Sequence, residues 1–415
     1  MKILAIVSAL DLRLPYSCTP AWWQLLKAMS EIGVDIVATP YAGRELETPW
    51  WRAYQNPCLA EAEGVRRAKV AAKRVFSVRG SRTARAGGSN EESTSDKLMR
   101  ELAQRWTLPK WERHVTRILE KERNVDAVLI MTVPPNQLVG LARRITGRFG
   151  IPFYYYDGDI PASLPSFAGF DSGFRIYHGS DPSEYEAFIS NSKGGEALLL
   201  ELGARKVHTL YYGVDPAMFA PVDVDQDIDV FFYGHGAEYR ETWIEAMIAQ
   251  PSRDLPDARF ALRGTGFERV DLGNAVQLPY LSVGNLREYC GRSRLNLLVN
   301  RLAHATVYGS SSCRPFELAA MRTCMVSSPY LGIEEWFEPE REVFVISEPQ
   351  EALDRIQWLL GRPQARAAAA NAAYQRALAE HTYARRARQL VEMLGLKPRM
   401  RHLAANRNTQ GQGAA

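Results

Sequence analysis

Short, continuous apolar runs alternate along this chain with longer stretches in which apolar residues return every three or four positions. The first kind reads as a strand buried on both faces and the second as a helix with one face on a core, so the alternation predicts an α/β protein with parallel sheets. Residues 2–7 are the first predicted strand. Thr19 and Pro20 open a helix over 19–32, Gly33 closes it, and residues 34–38 give the next strand, completing one βαβ unit. Leu98, Leu102 and Trp106 then keep helical spacing, Pro109 breaks it, and Trp111, Val115, Ile118 and Leu119 resume it. Both tryptophans are expected in the core. Strands are predicted over 125–132 and 151–156 around a helix at 138–149, followed by a strand at 188–192, a helix at 195–202 and a strand at 207–211.

The same logic restarts near residue 229. Strands at 229–233, 260–263, 276–278, 295–299 and 324–326 are interleaved with helices, and helices at 352–360, 365–380 and 383–394 close the patterned part. Between the halves, GVDPAMFAP and VDVDQDID carry prolines and acids but little apolar periodicity, which places a linker at 213–228. The predicted organisation is a first domain over 1–212, a second over 229–384, a final helix at 385–398, and a tail at 399–415 too poor in apolar residues to order.

Open parallel sheets keep their chemistry at the carboxyl ends of the strands. At those ends stand Asp157, Gly158 and Asp159, then Gly234, His235 and Gly236 followed by Arg240, and then Gly264. Asp157 and Asp159 either carry chemistry or cap a turn. The richest stretch is SSSCRPFELAAMRTCMVSS. Three serines precede Pro315 at a predicted helix start, Glu317 is expected in the first turn, and an apolar strand follows. Helix-start amides attract anions, but a carboxylate repels phosphate. Glu317 therefore either complements the helix dipole or, if the site takes a nucleotide, faces ribose hydroxyls. The first loop, ALDLRLPYSCTP, has no G-x-G-x-x-G pattern, which speaks against a nicotinamide dehydrogenase.

A chain of 415 residues exceeds what one core serves, and 46% hydrophobic with 24% charged residues is globular. Five cysteines without a CxxC pair argue for reduced thiols and a cytoplasmic setting, without a zinc site or disulfide framework. The net charge of +4 is unevenly spread: between Arg66 and Arg85 lie eight Lys or Arg and no acid. That run belongs to a predicted mobile insertion at 66–97. Its helical part is either a solvated surface or a face for anionic membrane at the cytoplasmic side. With no aromatics interleaved before Phe76, it makes a poor nucleic-acid surface.

The ordered series NSKGGEALLLELGARKVHTLYYGVDPAMFAP, DVFFYGHGAEYR, RLNLLVN, CRPFELAAMRTCMVSS, EEWFEPEREVFVISEPQEAL and EHTYARRARQL resembles the CgeB/YkvP-like glycosyltransferases, relatives of the large retaining group with the GT-B fold. The likeness runs from about Tyr154 to Leu394. It implies two Rossmann-like domains whose parallel sheets face each other across a cleft, with the last helix crossing back. A nucleotide-sugar donor would sit mainly on the second domain, and a glycan or lipid-linked acceptor on the first. Glu317 would bind ribose. Gly234, His235, Gly236 and Gly264 would form Gly-rich turns by the diphosphate, with Arg240 as its cation, Arg314 reaching either the diphosphate or the sugar, and Pro315 and Phe316 completing the donor site.

On the acceptor side the resemblance leaves Asp157 and Asp159, ahead of Asp11 and Tyr16 on the first loop. Arg240 completes the expected catalytic set, and neither metal nor cofactor is expected. His178, His304 and His381 rank below these aspartates as the acceptor-side base, and His381 is expected to position the crossing helix. Phe267, Tyr280 and Leu281 are candidates to pack on the base. One departure from the pattern is Gly309, eight positions before Glu317, where the broader group has a second glutamate. The loop ahead of Glu317 is therefore expected to encode the donor. A GT-B nucleotide-sugar epimerase or hydrolase, and a non-catalytic membrane-surface or nucleic-acid-binding protein, stand as alternatives.

Overall fold

The computed structural model describes residues 1–10, 21–61, 92, 94–167, 176–236, 240–268, 270–279 and 282–396. Asp11, Tyr16, Tyr280, Leu281, the run between Arg66 and Arg85 and the 399–415 tail lie outside them.

Thirteen strands form two sheets among the described residues. The first contains β1 (Lys2–Ala9), β2 (Asp35–Ala42), β3 (Arg52–Ala53), β4 (Ala127–Met131), β5 (Phe153–Asp157), β6 (Ala187–Ser190) and β7 (Val207–Thr209), in the order β3-β2-β1-β4-β5-β6-β7. The second contains β8 (Ile228–His235), β9 (Phe260–Thr265), β10 (Val276–Leu278), β11 (Ser293–Leu298), β12 (Met325–Ser327) and β13 (Phe344–Val345), in the order β10-β9-β8-β11-β12-β13. Every pairing is parallel, with Ile3 opposite Ile36 on one side and Ala127 on the other.

Side-chain alternation gives each sheet two cores. In the first sheet, Leu4 and Ile6 join Trp111, Val115 and Ile118 of the helix Leu108–Lys121. Ile3, Ala5 and Val7 face Leu25, Leu26 and Met29 of the helix Ala21–Glu31. Into that second cluster comes the last helix of the chain, Tyr383–Met393, through Ala387, Leu390 and Val391. The molecule is thus fastened by a helix that follows the second sheet in sequence and packs on the first.

A second fastening runs along residues 308–311. Ser192 and Ser310 form an antiparallel bridge, their hydroxyls 2.7 Å apart. Ser311 N donates to Asn191 O at 2.9 Å, and Gly194 N to Tyr308 O at 2.8 Å. Ser310 and Ser311 are buried in this seam, and Ser312, the cap residue of the helix Cys313–Ala320, is half-buried and makes no side-chain capping bond.

Two expectations fail in detail. Pro109 does not break a helix; it lies in the first turn of Leu108–Lys121, where a missing N–H does no harm, after one wide turn at Ala103–Thr107. Trp111 is fully buried, but Trp106 is 63% exposed. The stripe Leu98–Leu102–Trp106 is helical in period yet does not cover a core. Among the described residues no helix is long and apolar enough to cross a membrane.

Candidate active site

The carboxyl edges of the two sheets open on a shared cavity of about 270 Å³. Gly158 and Asp159 follow β5, Tyr212 follows β7, Tyr233 and Gly234 end β8, Val299, Asn300 and Arg301 follow β11, and Ser312 to Arg314 start the helix that carries Glu317. This is where strand ends of open α/β sheets meet ligands.

One end of the cavity is built around Glu317. It sits at the fifth residue of its helix, two positions later than the sequence suggested, and is 1% exposed. That excludes a surface role beside the helix dipole, because a carboxylate is buried this deeply only where donors meet it. The Tyr233 hydroxyl donates to Glu317 Oε2 at 2.9 Å. Arg314 lies over the same tyrosine, 5.0 Å from its ring centre, and over Phe232 at 5.3 Å. Gly234 makes room for it, since a Cβ there would stand 2.7 Å from Arg314 Nη2.

The middle is marked by the Val299 carbonyl, which accepts from Arg240 Nε at 3.2 Å and Arg314 Nη1 at 3.5 Å. Two guanidiniums thereby converge beside the helix start, whose Ser312 and Cys313 also line the cavity. Together they make a field suited to a diphosphate.

At the other end Arg301 Nη1 reaches Asp159 Oδ1 at 2.8 Å, and His304 Nε2 is 4.0 Å from the same oxygen. Burial, then Arg301 and Arg240, push the His304 imidazole down to about 3, so it is neutral at physiological pH. Asp159 is held in place by its neighbour: its own N–H donates to Asp157 Oδ1 at 2.8 Å.

Residues 240–392 match a family model described as glycosyl transferase-like. Solved structures with a similar course include sucrose-phosphate synthase from Thermosynechococcus elongatus, with a TM-score of 0.61 at 13% identity over 95% of this chain and 98% of that one. Anabaena HepE in complex with UDP superimposes at 0.57 with 13% identity, over 95% and 100%. Trehalose-6-phosphate synthase OtsA does so at 0.60 with 9% identity, over 96% and 100%. No curated protein sequence matches the chain. The fold is GT-B.

Within this GT-B frame the structure sorts the residues singled out from sequence. Asp159, Gly234, Arg240, Arg314 and Glu317 share the cavity. Asp157 does not line it. It is fully buried and accepts from the Ser163 hydroxyl at 2.6 Å and the Tyr177 hydroxyl at 2.7 Å, so its carboxylate is spent on holding the loop. Burial raises its pKa against those bonds. Phe316 is core, its ring 5.1 Å from that of His381 and 5.9 Å from that of Trp336. Pro315 is buried beside it in the same helix.

His235 is exposed, against Gly266 and outside the cavity wall. Gly236 and Gly264 also serve packing: a Cβ on Gly236 would strike Phe267, and one on Gly264 would overlap the Gly234 carbonyl. Phe267 itself is buried against Phe232. Gly309, with φ +59, hydrogen-bonds Lys193 N through its carbonyl and lies against Tyr211, in the seam between the halves. Residues 308–311 thus serve the seam, while Ser312 lines the cavity. The cavity residues that the sequence did not single out are Tyr212, Tyr233, Asn300 and Arg301, and His304 ranked below the aspartates. Their only signal was position, two to six residues past β11 or at the ends of β7 and β8.

Proposed function

We propose that the protein is a glycosyltransferase that moves a sugar from a nucleotide-sugar donor to a hydroxyl acceptor. The observation that carries this reading is the set of groups sharing one cavity: the buried Glu317–Tyr233 pair, Arg314 and Arg240 on the Val299 carbonyl, and Asp159. Ribose hydroxyls suit the first, a departing nucleoside diphosphate the second, and the reacting carbon falls beside the third. The glycosyl transferase-like match over 240–392 supports it, because Arg240, Arg314 and Glu317 all lie inside that region. HepE has been solved with UDP and with UDP-glucose, so uridine nucleotides are the first to try.

In this reading Arg240, Arg314 and the open helix start neutralise the leaving diphosphate without a metal ion. Asp159 serves the acceptor hydroxyl or the charge developing on the sugar ring. Asp157 positions it. The stereochemical course that accompanies the CgeB/YkvP-like resemblance is retention, and the acceptor class is a glycan or lipid-linked hydroxyl. The test is calorimetric titration with UDP, GDP, dTDP, CDP and ADP sugars, followed by transfer assays with and without EDTA. Binding followed by glycoside formation that EDTA leaves unchanged is expected. Nucleotide release with no transfer to any acceptor would turn the assignment to a hydrolase.

A further inference from the structure

Two of the cavity's buried side-chain nitrogens without a hydrogen-bond partner belong to Asn300 and His304, the latter beside Asp159. Asn300 is 8% exposed and its Nδ2 has no partner; His304 is 6% exposed and its Nδ1 has none. Both line the cavity. An amide and an imidazole hidden from water and left unmade are unfavourable in the empty protein, and such groups are commonly completed by a ligand. They are four residues apart, one directly after Val299, the other on the short helix Leu302–Thr306.

We propose that Asn300 and His304 read the transferred sugar through its hydroxyls, and that this sugar is uncharged where it meets them. The inference rests on the cavity being a nucleotide-sugar site. Glu317 and Tyr233 mark the ribose end, and Arg314 and Arg240 meet at Val299, so a sugar attached to the second phosphate extends over Asn300 toward His304 and Asp159.

The chemistry of the wall selects the class. A neutral imidazole donates at one nitrogen and accepts at the other, and a carboxamide also does both, which is the complement of a hydroxyl. A sugar carboxylate would want a cation, and Arg301, three residues before His304, is bonded to Asp159. The pair also accounts for Gly309. With the position eight before Glu317 turned into the seam, sugar recognition has moved to the segment that follows β11.

The full chain, as wild type, Asn300→Ala, His304→Ala and His304→Gln, is titrated with UDP, GDP, dTDP, CDP and ADP and with the glucose ester of each. UDP-glucuronic acid is included. Each alanine variant is expected to keep the wild-type affinity for the free diphosphate and to lose about 3- to 10-fold for the sugar ester, the range of one uncharged hydrogen bond. His304→Gln, which keeps a donor and an acceptor, recovers part of that loss, and the glucuronate binds more weakly than the glucoside. Thermal midpoints without ligand identify a variant that merely unfolds, and the remaining variants then decide. Equal losses for diphosphate and ester, no loss for either, or preference for the glucuronate overturns the proposal while leaving the donor site intact. Failure of every nucleotide to bind overturns the donor site as well.

Discussion

Arg301 Nη1 lies 2.8 Å from Asp159 Oδ1, joining two residues 142 positions apart and closing one end of the cavity with a contact between the loops after β5 and β11. The side chains are 29% and 16% exposed, so water still screens the pair. A double-mutant cycle between Arg301→Ala and Asp159→Ala, read by urea denaturation, is expected to give a coupling of about 0.5–1 kcal/mol.

The same carboxylate predicts a kinetic effect that is much larger. A positioned acid or base contributes about 10²- to 10⁴-fold, so Asp159→Asn is expected to lower transfer turnover at least ~100-fold. Donor affinity should stay near the wild-type value, because the proposed nucleotide contacts, Glu317 and its partner Tyr233, are left unchanged. Turnover and donor Kd measured on one preparation separate the two. Turnover near the wild-type level would remove Asp159 from the chemistry.

Glu317→Gln keeps the shape of the buried side chain and its neighbour Tyr233 but removes the charge. A hydrogen bond to a charged group is worth about 1.5–3 kcal/mol, so nucleotide affinity should fall by at least ~10-fold. Tyr233→Phe removes the group that orients Glu317 and should cost less, about 3- to 10-fold, as expected for a bond acting at second hand. Calorimetry with the free nucleoside diphosphate is the measurement. Unchanged affinity in Glu317→Gln would mean that the carboxylate serves the fold alone.

How far the site was legible in the chain depended on whether a residue's direction follows from its local pattern. Gly234, Arg314 and Glu317 lie at a strand end or on a helix whose start the sequence marks, and they converge. Asn300, Arg301 and His304 occupy a link between β11 and Ser310 that has no periodicity, so their orientation is set by distant contacts such as Arg301 with Asp159, Asn300 N with the Ser328 hydroxyl, and the Asn191–Ser311 seam. The three serines illustrate the opposite error. Their type suits a helix cap, but a partner 118 positions away, Ser192, claimed Ser310. Trp106 failed for a related reason: period shows which residues share a face, not whether anything covers that face.

Acid should destabilise the protein through its buried histidines. His381 Nε2 donates to the Trp336 carbonyl at 2.9 Å while Nδ1 accepts from Arg386 Nη2 at 2.8 Å, a bracket that needs the neutral ring. Burial, then Arg386, push its pKa from 6.5 to about 3. The unfolded chain therefore takes up the proton first as pH falls below 6.5, and stability declines from there toward about 3. His114, pushed down to about 4, acts in the same direction. Between pH 7 and 5 the wild type should lose about 2 kcal/mol more than His381→Gln. Equal losses in urea denaturation at the two pH values would place the charge elsewhere.

The last helix gives the sharpest test of how the two halves depend on each other. Leu390 is fully buried in the cluster that holds Leu25, Leu26 and Met29, and just beyond the helix the Leu394 carbonyl accepts from the Tyr154 hydroxyl at 2.9 Å. Leu390→Ala removes packing that the rigid first sheet cannot refill, and should cost about 2–5 kcal/mol. If the helix merely covered the first sheet, that loss would be the whole effect. It leads from His381 and Arg386, however, and Arg386 Nε also donates to the Tyr212 carbonyl at 3.0 Å, while Tyr212 lines the cavity. Loosening the helix therefore loosens a cavity wall, and nucleotide affinity of the folded Leu390→Ala protein should fall together with its stability. Full affinity at a temperature where the variant remains folded would show that the helix fastens the fold without shaping the site.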